Sequence, residues 1–168
     1  DNATVKGALA SYVLTNGHVK STAEADATIG QQLVNSSVEN AGVGTLTVSN
    51  SANTITSLEA TGGNVKLSEN MEVQSLSAAS GKTVTVVAGK NIAMAGGVSL
   101  GTNGGDATLT ARSDYSLARL MEGASFTIRD MSLTNTTLTA AIGAAPLKLQ
   151  NVTASNVVLS QGRFTMQG

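Results

Sequence analysis

Cysteine is absent from the 168-residue chain, which excludes disulfide staples, a thiol nucleophile and thiolate metal sites. Tryptophan is absent too, and two Phe and two Tyr are the whole aromatic complement, too few for a base-stacking surface. Charged residues make up 12% of the chain, about half the usual share of ~25%. Ten basic and eleven acidic residues leave a net charge of -1. Without a basic excess to hold a phosphate backbone, nucleic acid is not an expected partner. No apolar run approaches the ~20 residues that a membrane-spanning helix needs, so no membrane insertion is expected of this segment. The single histidine, His18, follows Asn16-Gly17. It reads as a turn residue rather than as the base of a Ser-His-Asp triad, and one histidine cannot build a His-rich metal site. No cofactor is expected.

What fills the chain instead is small and polar: 18 Ser, 21 Thr and 13 Asn, together with 18 Gly. From about residue 44 these residues separate short apolar-x-apolar units. The clearest internal match is a shift of 21 residues, which lays Phe126, Ile128, Met131 and Leu133 over Leu147, Leu149, Val152 and Ala154. The same shift puts Asp130 on Asn151 and Asn135 on Asn156. The unit extends backwards through Leu46 and Val48, Val65 and Leu67, Val84 and Val86, and Leu109 and Ala111. Each pair precedes one of Asn50, Asn70, Asn91 and Asp114. Alternation over three or four residues is strand periodicity, and a fixed period near 20 with short strands is a solenoid signature. Crossover helices do not fit in such a period. The strands must therefore be joined by tight turns, with each coil stacked ~4.8 Å above the last. About six coils are expected, with Leu46, Val65, Val84, Leu109, Phe126, Leu147 and Phe164 in one buried column.

Asn50, Asn70, Asn91, Asp114, Asp130 and Asn151 are expected to stack as a ladder at one corner. Asn and Asp tolerate left-handed backbone angles there, and stacked amides can satisfy buried polar groups. Asp114 and Asp130 would then lie ~5 Å apart in successive coils. Such a carboxylate pair reads either as two ladder positions neutralised by Arg112 or Arg129, or as a calcium or sugar-cleaving site. Gly104-Gly105-Asp106 reads as a turn rather than as a repeated calcium motif. Outward Thr residues flank the apolar one in Thr45-Leu46-Thr47, Thr83-Val84-Thr85, Thr108-Leu109-Thr110 and Ser125-Phe126-Thr127. Asn64/Lys66, Pro146/Lys148 and Arg163 interrupt that array, which suits a polar, weakly charged contact face better than an ice-binding one. Four Asn-x-Ser/Thr sequons occur, at Asn2, Asn35, Asn135 and Asn151, as expected in a chain of this composition.

The apolar-x-apolar-x-Asn/Asp-apolar-x-apolar unit, over roughly residues 44–168, resembles the right-handed parallel β-helix of bacterial surface and secreted proteins, such as autotransporter passengers and adhesins. The resemblance implies an all-β solenoid and an extracellular or cell-surface location. The expected role is non-catalytic, structural or adhesive, with a glycan or host surface as a partner. The alternative it implies is a polysaccharide lyase or glycosidase on the same coil, with Asp114 and Asp130 as its carboxylates. Residues 1–43 do not fit the repeat and are expected to form an end cap or a partner-contacting segment. Ser21-Thr-Ala-Glu24 looks like a capping box ahead of a short helix over about 23–36, with Ile29 and Leu33 facing in. At the other end, Phe164 and Met166 are expected to form an uncovered assembly edge. That edge would take another copy of the chain, end to end, or a following domain.

Overall fold

A computed structural model describes residues 2–5, 8–9, 13–116 and 126–168 of the chain. Tyr12, Leu117 and Ser125, which the sequence assigns to strand or repeat units, lie outside the described residues. The protein is a β-solenoid. A ten-stranded sheet runs from Asn2–Val5 to Val158–Ser160, and an eight-stranded sheet runs beside it from Ala8–Leu9 to Thr153–Ser155. One strand of the second sheet per coil makes about eight coils rather than the expected six. Smaller third faces close the coils. One pairs Leu14–Thr15 with Leu33–Val34, and the other stacks Thr127–Arg129, Leu147–Gln150 and Phe164–Gln167.

The additional coils come from the N-terminal segment. Its described residues hold strands His18–Ser21, Ala27–Ile29 and Ser36–Asn40. These pair in parallel with the coils above them, His18 with Ser37 and Ala27 with Leu46. No helix forms over 23–36. Ser21 is a strand residue whose Oγ accepts the Ala23 N–H at 3.4 Å, so the local bond of a cap closes a turn instead. Ile29 and Leu33 do face the core, as strand residues. Asn35, at φ 48°, turns the chain in a way that no helix interior allows.

Within residues 27–86 the register of the eight-stranded sheet is regular, while the ten-stranded sheet slips by one residue between Ser36, which pairs with Ile55, and Val38, which pairs with Leu58. Ala27, Leu46, Val65 and Val84 lie 19 residues apart and are paired in that order, all buried. The stack is so tight that turn glycines meet backbone: a Cβ on Gly63 would lie 2.4 Å from the carbonyl oxygens of both Gly42 and Gly44. Buried Asn40 ties the same turns together, donating from Nδ2 to the carbonyls of Gly44 at 2.9 Å and Asn64 at 2.7 Å.

The stack then departs from the expected all-parallel order. Gly96 and Gly97 take φ of 75° and 81°, a region open to glycine at little cost. The Met94 N–H bonds the Val98 carbonyl at 2.7 Å. The chain doubles back, so Val98–Thr102 runs antiparallel to Asn91–Ala93, and Ala107–Ala111 runs antiparallel to Thr83–Val86. The stretch from Gly96 to Asp106, which the sequence suggests is an inserted loop, therefore supplies part of a reversed coil. A second pair of antiparallel contacts, to Met131–Thr134 and Thr136–Ala140, restores the original sense, and the following coils pair in parallel again. The expected single column divides accordingly. Leu46, Val65, Val84 and Leu109 are joined by Leu133 and Ala154. Leu147 instead pairs with Phe164 on the C-terminal third face, and Phe126 lies beside it, its carbonyl accepting the Lys148 N–H at 2.8 Å.

Candidate functional site

The Asn and Asp residues singled out from the repeat fall at two corners: Asn50, Asn70 and Asn91 where the chain passes from the eight-stranded to the ten-stranded sheet, and Asp114, Asp130 and Asn151 at the other end of the eight-stranded sheet's strands. Asn50 Nδ2 donates to the Gly30 carbonyl at 3.2 Å. Asn70 Oδ1 accepts the Asn91 N–H at 2.9 Å. Asp114 Oδ1 accepts the Ser80 N–H at 2.9 Å. Asp130 Oδ1 accepts from Asn151 Nδ2 at 2.8 Å, and its Oδ2 accepts from Ser113 Oγ at 3.3 Å. Asp130 thus sits against the 112–114 turn, its carbonyl accepting the Arg112 N–H at 2.8 Å, while the Asp114 carboxylate is turned to Ser80. Arg112, expected as their counter-ion, donates to the Asn151 carbonyl. All six side chains are exposed or half-buried. Only Asp130 and Asn151 among them take the left-handed conformation, at φ 54° and 53°.

A ladder that repeat-matching missed as a site runs through Asn103, Asn135 and Asn156. Asn156 Nδ2 donates to Asn135 Oδ1 at 2.8 Å and to the Asn103 carbonyl at 2.7 Å. Asn135 and Asn156 are left-handed, at φ 53° and 56°. Their 21-residue spacing is the signal that locates them.

Three surface features remain as candidates. The first is the outer side of the eight-stranded sheet. Thr47 and Lys66, Lys66 and Thr85, Thr85 and Thr108, and Thr108 and Thr134 are successive register partners. Thr83, Thr110, Ser132 and Thr153 form a second file, and the Thr83 and Thr110 hydroxyls are 2.9 Å apart. Lys148 and Arg163, expected to interrupt this array, belong to the C-terminal third face or adjoin it.

The second is the last coil. Val152, Val157, Leu159 and Phe164 are only partly buried, and Met166 is 67% exposed. Around them opens a cavity of about 430 Å³, lined by Leu133, Leu149, Ala154 and Met166 among others.

The third is a groove where the cross-section of the solenoid narrows. The connector between the two main sheets spans residues 30–35 in one coil and 49–53 in the next, but only 68–70 in the coil after that. The shorter connector crosses from Ser68, whose N–H bonds the Val48 carbonyl, to Glu72, whose N–H bonds the Asn53 carbonyl. Ser51 and Ala52 are left uncovered and exposed. The resulting groove, of about 490 Å³, is lined by Ser51, Asn53, Asn70, Met71, Glu72 and Asn91, with Ala52, Thr54 and Ala93. Two residues of the expected ladder, Asn70 and Asn91, thus meet a carboxylate that the repeat did not single out. Among the described residues no group of three or more His, Asp or Glu is placed to hold a metal ion.

No protein-family model, curated protein or solved structure matches the chain.

Proposed function

We propose that the chain is a non-catalytic segment of an extracellular β-solenoid rod, with a structural or adhesive role, and that it extends by adding a further coil to its last one. The observation that carries this reading is the open apolar end around Leu159, Phe164 and Met166. Buried columns of the solenoid run into that end, and strand edges there are templates for another strand. A second copy adding head to tail gives a contact that does not close on itself, and hence a filament. The low charge and the hydroxyl-rich outer face supply a polar surface for glycan or host contacts.

Light scattering over a concentration series tests the assembly. The expected result is end-to-end growth that Met166→Lys suppresses. A strictly monomeric protein, with a melting temperature independent of concentration, overturns it. Incubation with pectic polysaccharides tests the absence of catalysis: no reducing or unsaturated ends should appear, and their release by the wild type with loss in Asp130→Asn overturns that part.

A further inference from the structure

We infer that the C-terminal third face and the loop entering it form a docking surface for an anionic lipid bilayer. The face is the sheet of Thr127–Arg129, Leu147–Gln150 and Phe164–Gln167. Ile128, Leu147 and Leu149 point into the core, so alternation turns Arg129 and Lys148 outward, and both are exposed. Exposed Arg163 stands at the entry of the face, its carbonyl accepting the Leu147 N–H at 3.0 Å. Arg112 adds a fourth cation at the far corner, where it donates to the Asn151 carbonyl. The other outward positions, Thr127, Gln150, Thr165 and Gln167, are neutral. None of the four cations forms an ion pair with a described residue. The carboxylates at that corner, Asp114 and Asp130, are turned to the Ser80 N–H and to Ser113 and Asn151. Six of the eleven acidic residues fall within 24–72, in the N-terminal coils, so an anionic surface meets this face rather than those coils.

The loop that enters the face, residues 141–146, carries no charge. Its Ala144 N–H bonds the Ala141 carbonyl at 3.0 Å, and Gly143 takes φ 89°, the arrangement of a type II turn with Ile142 at the second position. The Ala141 N–H is tied to the Gly97 carbonyl at 2.7 Å, which fixes the turn to the body of the solenoid. Ile142 is 88% exposed, with Ala141 and Ala145 exposed on either side. Arg163 donates to the Ala144 carbonyl at 3.2 Å, so a guanidinium lies two residues from the tip. A single exposed apolar side chain is ordinary. One held on a fixed turn beside a row of cations suits a bilayer, where it enters the acyl boundary while the cations meet lipid phosphates. A soluble polyanion would use the cations and leave Ile142 in water. The contact is peripheral: the strands keep their pairing within the coils, and nothing crosses the bilayer. The inference does not depend on assembly at the last coil.

The test is flotation of the 168-residue chain with vesicles of equimolar phosphatidylcholine and phosphatidylglycerol, and with vesicles of phosphatidylcholine alone. Binding to the anionic vesicles only, weakening as salt is raised, is the expected result. Lys148→Glu removes a cation and adds an anion, and should weaken binding roughly tenfold or more, at ~fivefold per charge near the surface. Ile142→Ser should weaken it about threefold or more by removing the apolar tip. Lys66→Glu, the same charge change on the eight-stranded sheet, should leave binding nearly unchanged. All three positions are exposed, and the variants should keep the wild-type melting temperature. Absence of binding to the anionic vesicles overturns the inference, as do equal losses in Lys148→Glu and Lys66→Glu, which would assign the effect to net charge. Equal binding to neutral vesicles would assign it to the apolar last coil. Wild-type binding by Ile142→Ser, with competition by soluble polyphosphate, would make the face a polyanion site. Either result also overturns the bilayer as partner.

Discussion

The coils of residues 27–86 and the reversed coil of 98–111 do the same structural work in opposite chain directions. In the first, Ala27, Leu46, Val65 and Val84 stack by parallel pairing. In the second, Leu109 continues that column by antiparallel pairing and is as buried as its neighbours. The reason is in the sequence of the strand, Ala107-Thr108-Leu109-Thr110-Ala111, which is the same in either direction. Alternation puts Leu in and Thr out whichever way the chain runs. A solenoid core therefore selects the alternation of a strand, while the turns decide its direction.

The comparison is tested most severely at the turns. In the parallel block, Gly63→Ala sets a Cβ 2.4 Å from two backbone oxygens. It should cost about 4 kcal/mol or more, in the range reserved for severe steric change, measured by chemical denaturation. Gly81→Ala, beside the reversed coil, meets nothing within 4 Å at φ 81°, so only the backbone penalty of about 1–2 kcal/mol should appear. Equal losses at the two positions would remove the distinction between them.

Core truncation is the next largest effect. Leu46→Ala and Leu109→Ala should each cost about 2–5 kcal/mol, with the two values close to one another. A much smaller loss at Leu109 would mean that the reversed coil packs less well than the parallel ones. Smaller still, Asn156→Ala should cost about 1 kcal/mol by removing bonds to Asn135 and Asn103. Glu69→Gln, which breaks the partly exposed 3.1 Å contact with Lys90, should change stability by less than about 1 kcal/mol.

The strands, the solenoid and the column from Leu46 to Leu109 were legible because alternation is a local property of three to five residues. Direction was not, since Ala107–Ala111 carries no mark of it; the only cue was Gly96-Gly97, which resembles an ordinary loop. The N-terminal coils were hidden because small residues stand where the later repeats have large ones: Ala27 takes the place of Leu46 in the column. The third faces there are strands of two residues, too short to show a period. The corner ladders were partly legible. Asn16 and Asn35, 19 residues apart and both left-handed, follow the same logic as Asp130 and Asn151. The Asn or Asp nearest each strand, however, does not mark one corner: Asn50, Asn70 and Asn91 lie at one end of their strands, and Asp114, which follows a reversed strand, lies at the other. The groove depends on a missing stretch of connector, which becomes apparent only once the coils are stacked.

The hairpin at Met94–Val98 also has a kinetic consequence. A parallel coil docks on its predecessor only after about 19 residues have closed into a loop, and that closure entropy precedes any contact that repays it. The strands Asn91–Ala93 and Val98–Thr102 are adjacent in the chain, so their contact is available at the microsecond timescale of hairpins. Docking can then spread from this pair toward both ends. Mutations at Ile92 and Leu100 should consequently slow folding, with φ-values above those at Val38 or Leu149; uniformly low φ-values at the hairpin would place the nucleus elsewhere.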